Sequence, residues 1–155
     1  MVAPKPFLEE LKRSRLYHAV TRTDADTLAD MPPMAAVKAI RAGLPARAFE
    51  FFADALSLST DELARKLGAA PRTIRQQKKV QSGLLSAENS ARLMRVAYVH
   101  RRARRIFTSD EAAARWLTTP APALDGQRPL DLLDTDIGAR EVEAVLQGIA
   151  FGNVL

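Results

Sequence analysis

Two stretches of this sequence hold residue types whose spacing suits recognition chemistry. The first is Pro71-Arg72-Thr73-Ile74-Arg75-Gln76-Gln77-Lys78-Lys79, which places two Arg, two Gln and two Lys within nine residues. Arg and Gln present paired donors and acceptors that match base edges in the DNA major groove. Lys binds phosphate as a point charge and adds affinity without sequence choice. The second is the tail Gly148-Ile149-Ala150-Phe151-Gly152-Asn153-Val154-Leu155, apolar at the end of a charged chain. Such a segment needs cover, and packing on its own domain or on a partner would each supply it.

Catalytic chemistry finds no footing. Cysteine is absent, which excludes disulfides, thiolate metal sites and a thiol nucleophile. His18 and His100 are far apart, and neither has a partner at metal-ligand spacing. Asp24, Asp26 and Asp30 lack the spacing and glycine of a calcium loop and read as a solvated acidic turn. There is no Gly-rich phosphate loop, and Ser and Thr sit mainly where helix caps explain them. No enzyme activity and no cofactor are expected.

The charge is divided along the chain. Residues 60–107 carry 12 Lys and Arg against 3 acids, net +9, whereas residues 108–155 carry 3 against 8, net −5. The first 59 residues are nearly balanced at +1. A basic middle and an acidic end suggest two partners of opposite character, with nucleic acid the natural one for the middle. Charge alone fits a solvated face equally well. No run of ~18 apolar residues is present to span a membrane, and MVAPKPFLEELKRSR has no hydrophobic signal core. A cytoplasmic protein is expected.

The elements that must position these residues read as helices. Residues 1–33 form a variable N-terminal arm, with Phe7, Leu8, Leu11 and Leu16 on a short helical stripe and Met31-Pro32-Pro33 as a break. A helix is expected over 34–42, stopped by Gly43. Another begins at Pro45, with Phe49, Phe52, Ala53 and Leu56 on one stripe. Ser59-Thr60-Asp61-Glu62 is a capping box for a helix ending at Gly68, and Pro71 suits a first helical turn. Ala64, Gly68 and Ile74 sit at the intervals where a helix-turn-helix needs a small residue at the crossing, a turn glycine and a branched seat for the second helix. On that register Arg72, Thr73, Arg75 and Gln76 face the groove, and Lys78 and Lys79 meet phosphate. Gln77 stands where an apolar residue is usual, so Val80 is expected to complete the core.

Ser86 caps a long helix to Ile106 or Phe107, with Leu93, Val96, Ala97 and His100 inward. Its end, His100-Arg101-Arg102-Ala103-Arg104-Arg105, suits the helix dipole and equally a phosphate or subunit contact. Thr108-Ser109-Asp110-Glu111 reads as a second capping box, opening a helix at Thr108 with Ala112, Trp116 and Leu117 on one face. Trp116 is expected to anchor a core. Pro129 opens a short helix whose Leu130 and Leu133 pack on a last helix. That helix is capped by Asp134 or Thr135 and carries Val142, Val145, Leu146 and Ile149 inward.

Residues 107–154 combine a helix with Glu111-Ala112 and Trp116-Leu117, the stretch Pro120-Ala121-Pro122-Ala123-Leu124, the turn Asp125-Gly126-Gln127-Arg128-Pro129-Leu130, and a helix closing on Phe151-Gly152. This resembles the toxin-binding C-terminal domain of the Xre/MbcA/ParS antitoxin family. The family turn commonly reads Gly-Gly-(Arg or Lys)-(Thr or Ser)-Pro-Leu, so the basic residue here, Arg128, stands one place later. The family tail resembles Tyr-Gly-Val-(Tyr or Phe), and Asn153 departs from it.

The resemblance implies an all-α protein: a variable arm (1–33), an Xre-like helix-turn-helix domain (34–107) and a small helical toxin-binding domain (108–155). It implies a type II antitoxin that covers the active site of a RES-type, NAD-consuming toxin and binds operator DNA, as a homodimer within a larger complex. Toxin contacts would fall to Arg128, Ile149, Phe151, Gly152, Asn153, Val154 and Leu155. Two rivals stand beside it: a stand-alone helix-turn-helix regulator without a toxin, and an interaction adaptor whose helix-turn-helix is only scaffold.

Overall fold

The computed structural model describes residues 28–152. Phe7, Leu8, Leu11, Leu16, His18, Asp24 and Asp26 lie outside that range, as do Asn153, Val154 and Leu155. The described residues form helices joined by short turns. The one departure is an isolated β-bridge between Pro45 and Leu84.

Helix α1 spans Pro33–Ala42, with proline in its first turn and Gly43 closing it. Helix α2 spans Arg47–Ala55 and starts after Pro45, because the chain before it is held elsewhere. There the Leu85 N–H donates to the Leu44 carbonyl and the Ala46 N–H to the Gly83 carbonyl, each at 2.8 Å. The expected stripe of Phe49, Phe52, Ala53 and Leu56 is buried. Full burial of a phenylalanine such as Phe49 contributes about 1.5–3 kcal/mol.

Helix α3 spans Thr60–Lys66 and opens on a complete capping box. Ser59 Oγ accepts from the Glu62 N–H at 3.2 Å, and the Glu62 carboxylate accepts from the Ser59 N–H at 2.8 Å. Helix α4 spans Pro71–Lys79, the bounds read from the sequence. Helix α5 spans Ala87–Phe107, capped by Ser86; its 21 residues make a rod about 30 Å long.

Thr108 does not open the next helix. It stands in the left-handed region at φ 60° and closes α5, its N–H donating to the Arg104 carbonyl. Helix α6 spans Asp110–Thr118 with Ser109 as its cap. Ser109 Oγ accepts from the Ala112 N–H at 3.1 Å. The reciprocal half of the expected capping box is missing because Ala112, not a carboxylate, occupies the third helical position. Two 3₁₀ turns follow, Pro122–Leu124 and Pro129–Leu132. Helix α7 spans Asp136–Ala150 and is capped by Thr135. At Gly138 an added Cβ would lie 2.0 Å from the Leu132 carbonyl oxygen, so only glycine lets α7 approach the second 3₁₀ turn this closely.

A single core runs through the described residues, from Leu28 to Leu146. Helix α5 is its axis: it packs against α1 and α2 and also against α6 and α7. Leu93, Val96, Ala97 and His100 are buried along it, with the His100 ring edge-on to Phe52 at 6.0 Å. Leu130 and Leu133 are buried beneath α7 beside Val142, Val145 and Leu146, and Ile149 is partly buried against them. Leu28 and Met31, at the end of the stretch assigned to the arm, also enter this core.

Candidate nucleic-acid and protein interfaces

Helices α3 and α4 form the two arms of a helix-turn-helix. Ala64 is fully buried at the crossing, where a larger side chain would push the helices apart. Gly68 takes φ 71° in the turn, a conformation that penalises a side chain. The Ala69 N–H then closes the turn on the Ala64 carbonyl at 2.9 Å. Ile74 is buried and seats α4 on the core.

With Ile74 inward, the opposite side of α4 faces solvent. Arg72, Arg75, Gln76, Lys78 and Lys79 are exposed, and Thr73 is half-buried. Two of these cations reach carboxylates on other helices: Arg75 Nη1 meets Asp61 Oδ2 on α3 at 2.5 Å, and Lys78 pairs with Glu50 on α2. Arg72 and Lys79 make no ion pair among the described residues.

The expectation for Val80 fails: it is 53% exposed at the end of α4. The position of Gln77 explains why. Its Oε1 accepts from the Ser86 N–H and from Asn89 Nδ2, both at 3.3 Å. Asn89 is buried, so this polar pair ties α4 to the start of α5 where an apolar contact was expected.

The arginine run at the end of α5 joins elements. Arg101 pairs with Asp30, Arg104 with Asp110, and Arg102 approaches Glu143 at 3.8 Å. Asp30, Arg101, Arg104 and Asp110, with Arg105, Thr108 and Ser109, border a cleft of about 310 Å³. Among the described residues, no group of three or more His, Cys, Asp or Glu could hold a metal ion, and no helix is long and apolar enough to cross a membrane.

The C-terminal segment is clamped to the helix-turn-helix by residues that sequence reasoning missed. Arg95 Nε donates to the Leu133 carbonyl at 2.9 Å, Nη2 to the Asp134 carbonyl at 2.9 Å, and Nη1 to Asp136 Oδ1 at 2.8 Å. Lys66 Nζ meets Asp131 Oδ1 at 2.7 Å. No local pattern marks these pairs, because their partners are distant in sequence.

Of the sequence-expected partner contacts, Arg128 is exposed and makes no ion pair among the described residues. Ile149 is half-buried, whereas Phe151 is 76% exposed beside Gly152, which takes φ 73°. Asn153, Val154 and Leu155 lie outside the described residues. Trp116 is half-buried with its ring 5.6 Å from Phe107, an anchor between α5 and α6. Two exposed apolar residues carried no expectation from the sequence: Met34, 66% exposed at the start of α1, and Ile137, 73% exposed in the first turn of α7. Ile137, Ala144 and Phe151 recur every seventh residue and share one outward stripe, opposite Val142, Val145 and Leu146. That repeat was the available signal.

Residues 35–98 match the family model of the antitoxin Xre-like helix-turn-helix domain, and residues 102–152 match that of the antitoxin Xre/MbcA/ParS C-terminal toxin-binding domain. Over 68 residues, 44% of this chain, the sequence is 35% identical to Antitoxin Xre of Pseudomonas putida (strain KT2440). The matched region spans 43% of that relative's length. An Xre-like helix-turn-helix that leads into an Xre/MbcA/ParS C-terminal domain, on a single core, places the chain in the Xre-type antitoxin family.

Proposed function

We propose that this chain is a type II antitoxin that binds and neutralises a RES-type, NAD-consuming toxin by covering its active site. The observation that carries this reading is the outward stripe Ile137, Ala144 and Phe151 on α7, within the segment matched as toxin-binding. A partner that buries Phe151 removes a large aromatic surface from water, the kind of anchor that dominates interface energetics. Arg128, Ile149, Gly152 and the tail residues Asn153, Val154 and Leu155 complete the proposed contact. The choice of a RES-type toxin rests on the motif resemblance of residues 107–154.

The same chain is proposed to bind operator DNA through Arg72, Thr73, Arg75, Gln76, Lys78 and Lys79 and so to repress its own operon. One recognition helix reads one half-site, so a homodimer is proposed to place two in successive major grooves. In this scheme residues 34–107 serve DNA, residues 108–155 serve the toxin, and the chain acts in the cytoplasm without catalytic activity of its own.

The test is co-expression with the product of the neighbouring gene, followed by pull-down and NAD measurement. A stable complex that preserves NAD, with NAD loss when this chain is omitted, supports the reading. If no complex forms and NAD is unaffected, the stand-alone regulator becomes the favoured reading, and operator mapping is the next test.

A further inference from the structure

The cations on α4 are not equivalent, and the difference lies in residues outside that helix. Arg75 and Lys78 are three residues apart and lie on one face of α4. Each meets a carboxylate from a different neighbouring helix: Asp61 on α3 for Arg75, and Glu50 on α2 for Lys78. All four side chains remain between 37% and 55% exposed, so these pairs contribute little to stability. Their position matters more, because both acids stand beside the cations that the proposed function assigns to DNA.

From this geometry we infer that Asp61 sets the DNA specificity of the helix-turn-helix, whereas Glu50 sets its general affinity for DNA. Asp61 is a positioning residue for Arg75, and Glu50 restrains the phosphate attraction of Lys78. The inference rests on the proposed DNA-binding reading.

An arginine has five N–H donors. Asp61 engages Nη1 and leaves the other guanidinium edge free for the two acceptors of a guanine. Holding the guanidinium in one place lowers the ordering cost when it docks on a base. The same carboxylate repels phosphate, so binding that relies on Arg75 as a loose cation is disfavoured. Lys78 has no planar fork to orient, so Glu50 acts only by charge. It partly cancels one cation that would otherwise bind any phosphate. Removing Asp61 therefore lowers discrimination between sequences, whereas removing Glu50 raises affinity for all sequences alike.

The experiment uses the full chain and a pool of random-sequence DNA duplexes. The sequence enriched by the wild type is measured against a scrambled duplex by fluorescence anisotropy over a salt series. Asp61→Asn is expected to reduce the preference for the enriched over the scrambled duplex about tenfold, the scale of one bidentate base contact, and Asp61→Glu to restore part of it. In an Arg75→Ala background, Asp61→Asn should no longer change the preference. Glu50→Gln is expected to tighten both duplexes equally and steepen the salt dependence by about one phosphate contact.

Unchanged preference in Asp61→Asn, together with unchanged affinity in Glu50→Gln, overturns the inference while leaving DNA binding intact. A wild-type chain that enriches no sequence and binds no duplex overturns both. Thermal melts of each variant separate these outcomes from loss of fold.

Discussion

Lys66 on α3 and Asp131 in the second 3₁₀ turn are 65 residues apart in sequence and meet at 2.7 Å. The first helix of the helix-turn-helix is thereby tied directly to the C-terminal segment. With side chains 22% and 38% exposed, the pair is screened less than a surface ion pair but is not buried. Lys66→Ala and Asp131→Ala are each expected to destabilise the fold by about 0.5–1 kcal/mol. The double variant should cost less than the sum of the singles. Denaturant melts of the three variants test this, and strict additivity would rule the contact out.

Arg95 should matter more. It satisfies two backbone carbonyls and one carboxylate at the entry to α7. Arg95→Ala leaves the Leu133 and Asp134 carbonyls without these donors and is expected to cost about 2 kcal/mol. Arg95→Lys should recover little, since a point cation lacks the fork that reaches three acceptors. Wild-type stability in Arg95→Lys would mean that charge, not geometry, holds this joint.

For DNA, Arg75→Ala is expected to weaken binding to the operator by about 1–3 kcal/mol if its guanidinium reads a base. Lys79→Ala should weaken binding to every sequence and lower the salt slope by about one. Binding that is insensitive to changes at Arg72, Arg75 and Gln76 would support the scaffold reading.

For the toxin, truncation before Phe151 is the informative cut. Ile149 packs against the core, so removing it also disturbs the domain. Loss of Phe151 onward should abolish neutralisation while leaving the thermal melt and DNA binding intact. Phe151→Asp should have the same effect by placing an unpaired charge in the interface. Full neutralisation by both variants would move the contact elsewhere.

The Ser59–Glu62 capping box predicts a pH effect. The Glu62 carboxylate is held below its ordinary value of 4.5, first by the Ser59 backbone N–H and then by the Ser59 hydroxyl. A carboxyl group whose pKa falls on folding contributes stability above its unfolded value and loses it as pH falls through the folded value. The Tm gap between wild type and Glu62→Gln should be open at neutral pH and narrow below about 4.5. A gap that stays constant with acidification would show that the box contributes no charge-dependent stability.

Local features were legible in the sequence where local physics decides. Ser59, Ser86 and Thr135 cap their helices because a side-chain oxygen answers a backbone donor two or three residues on. Gly68 and Pro71 flank the turn before α4 as their allowed backbone angles require. The inward stripes of α2, α5 and α7 follow from helical periodicity.

Errors arose where a residue had two locally acceptable roles. Thr108 reads as an N-terminal residue of α6, yet it closes α5 in a left-handed conformation. Val80 reads as core until Gln77 is seen bonded to Ser86 and Asn89.

By itself the sequence determined the helical class, the helix-turn-helix register, the basic face of α4 and the family resemblance of the final third. These depend on spacing within one or two helices. Only the tertiary structure decided that Arg75 and Lys78 face Asp61 and Glu50, that Arg95 and Lys66 clamp the C-terminal segment, and that the stripe of Ile137 and Phe151 stays uncovered. The physical reason is the same in each case. Ion pairs and exposed faces depend on how helices dock around α5, and docking is set by the shared core rather than by any local pattern.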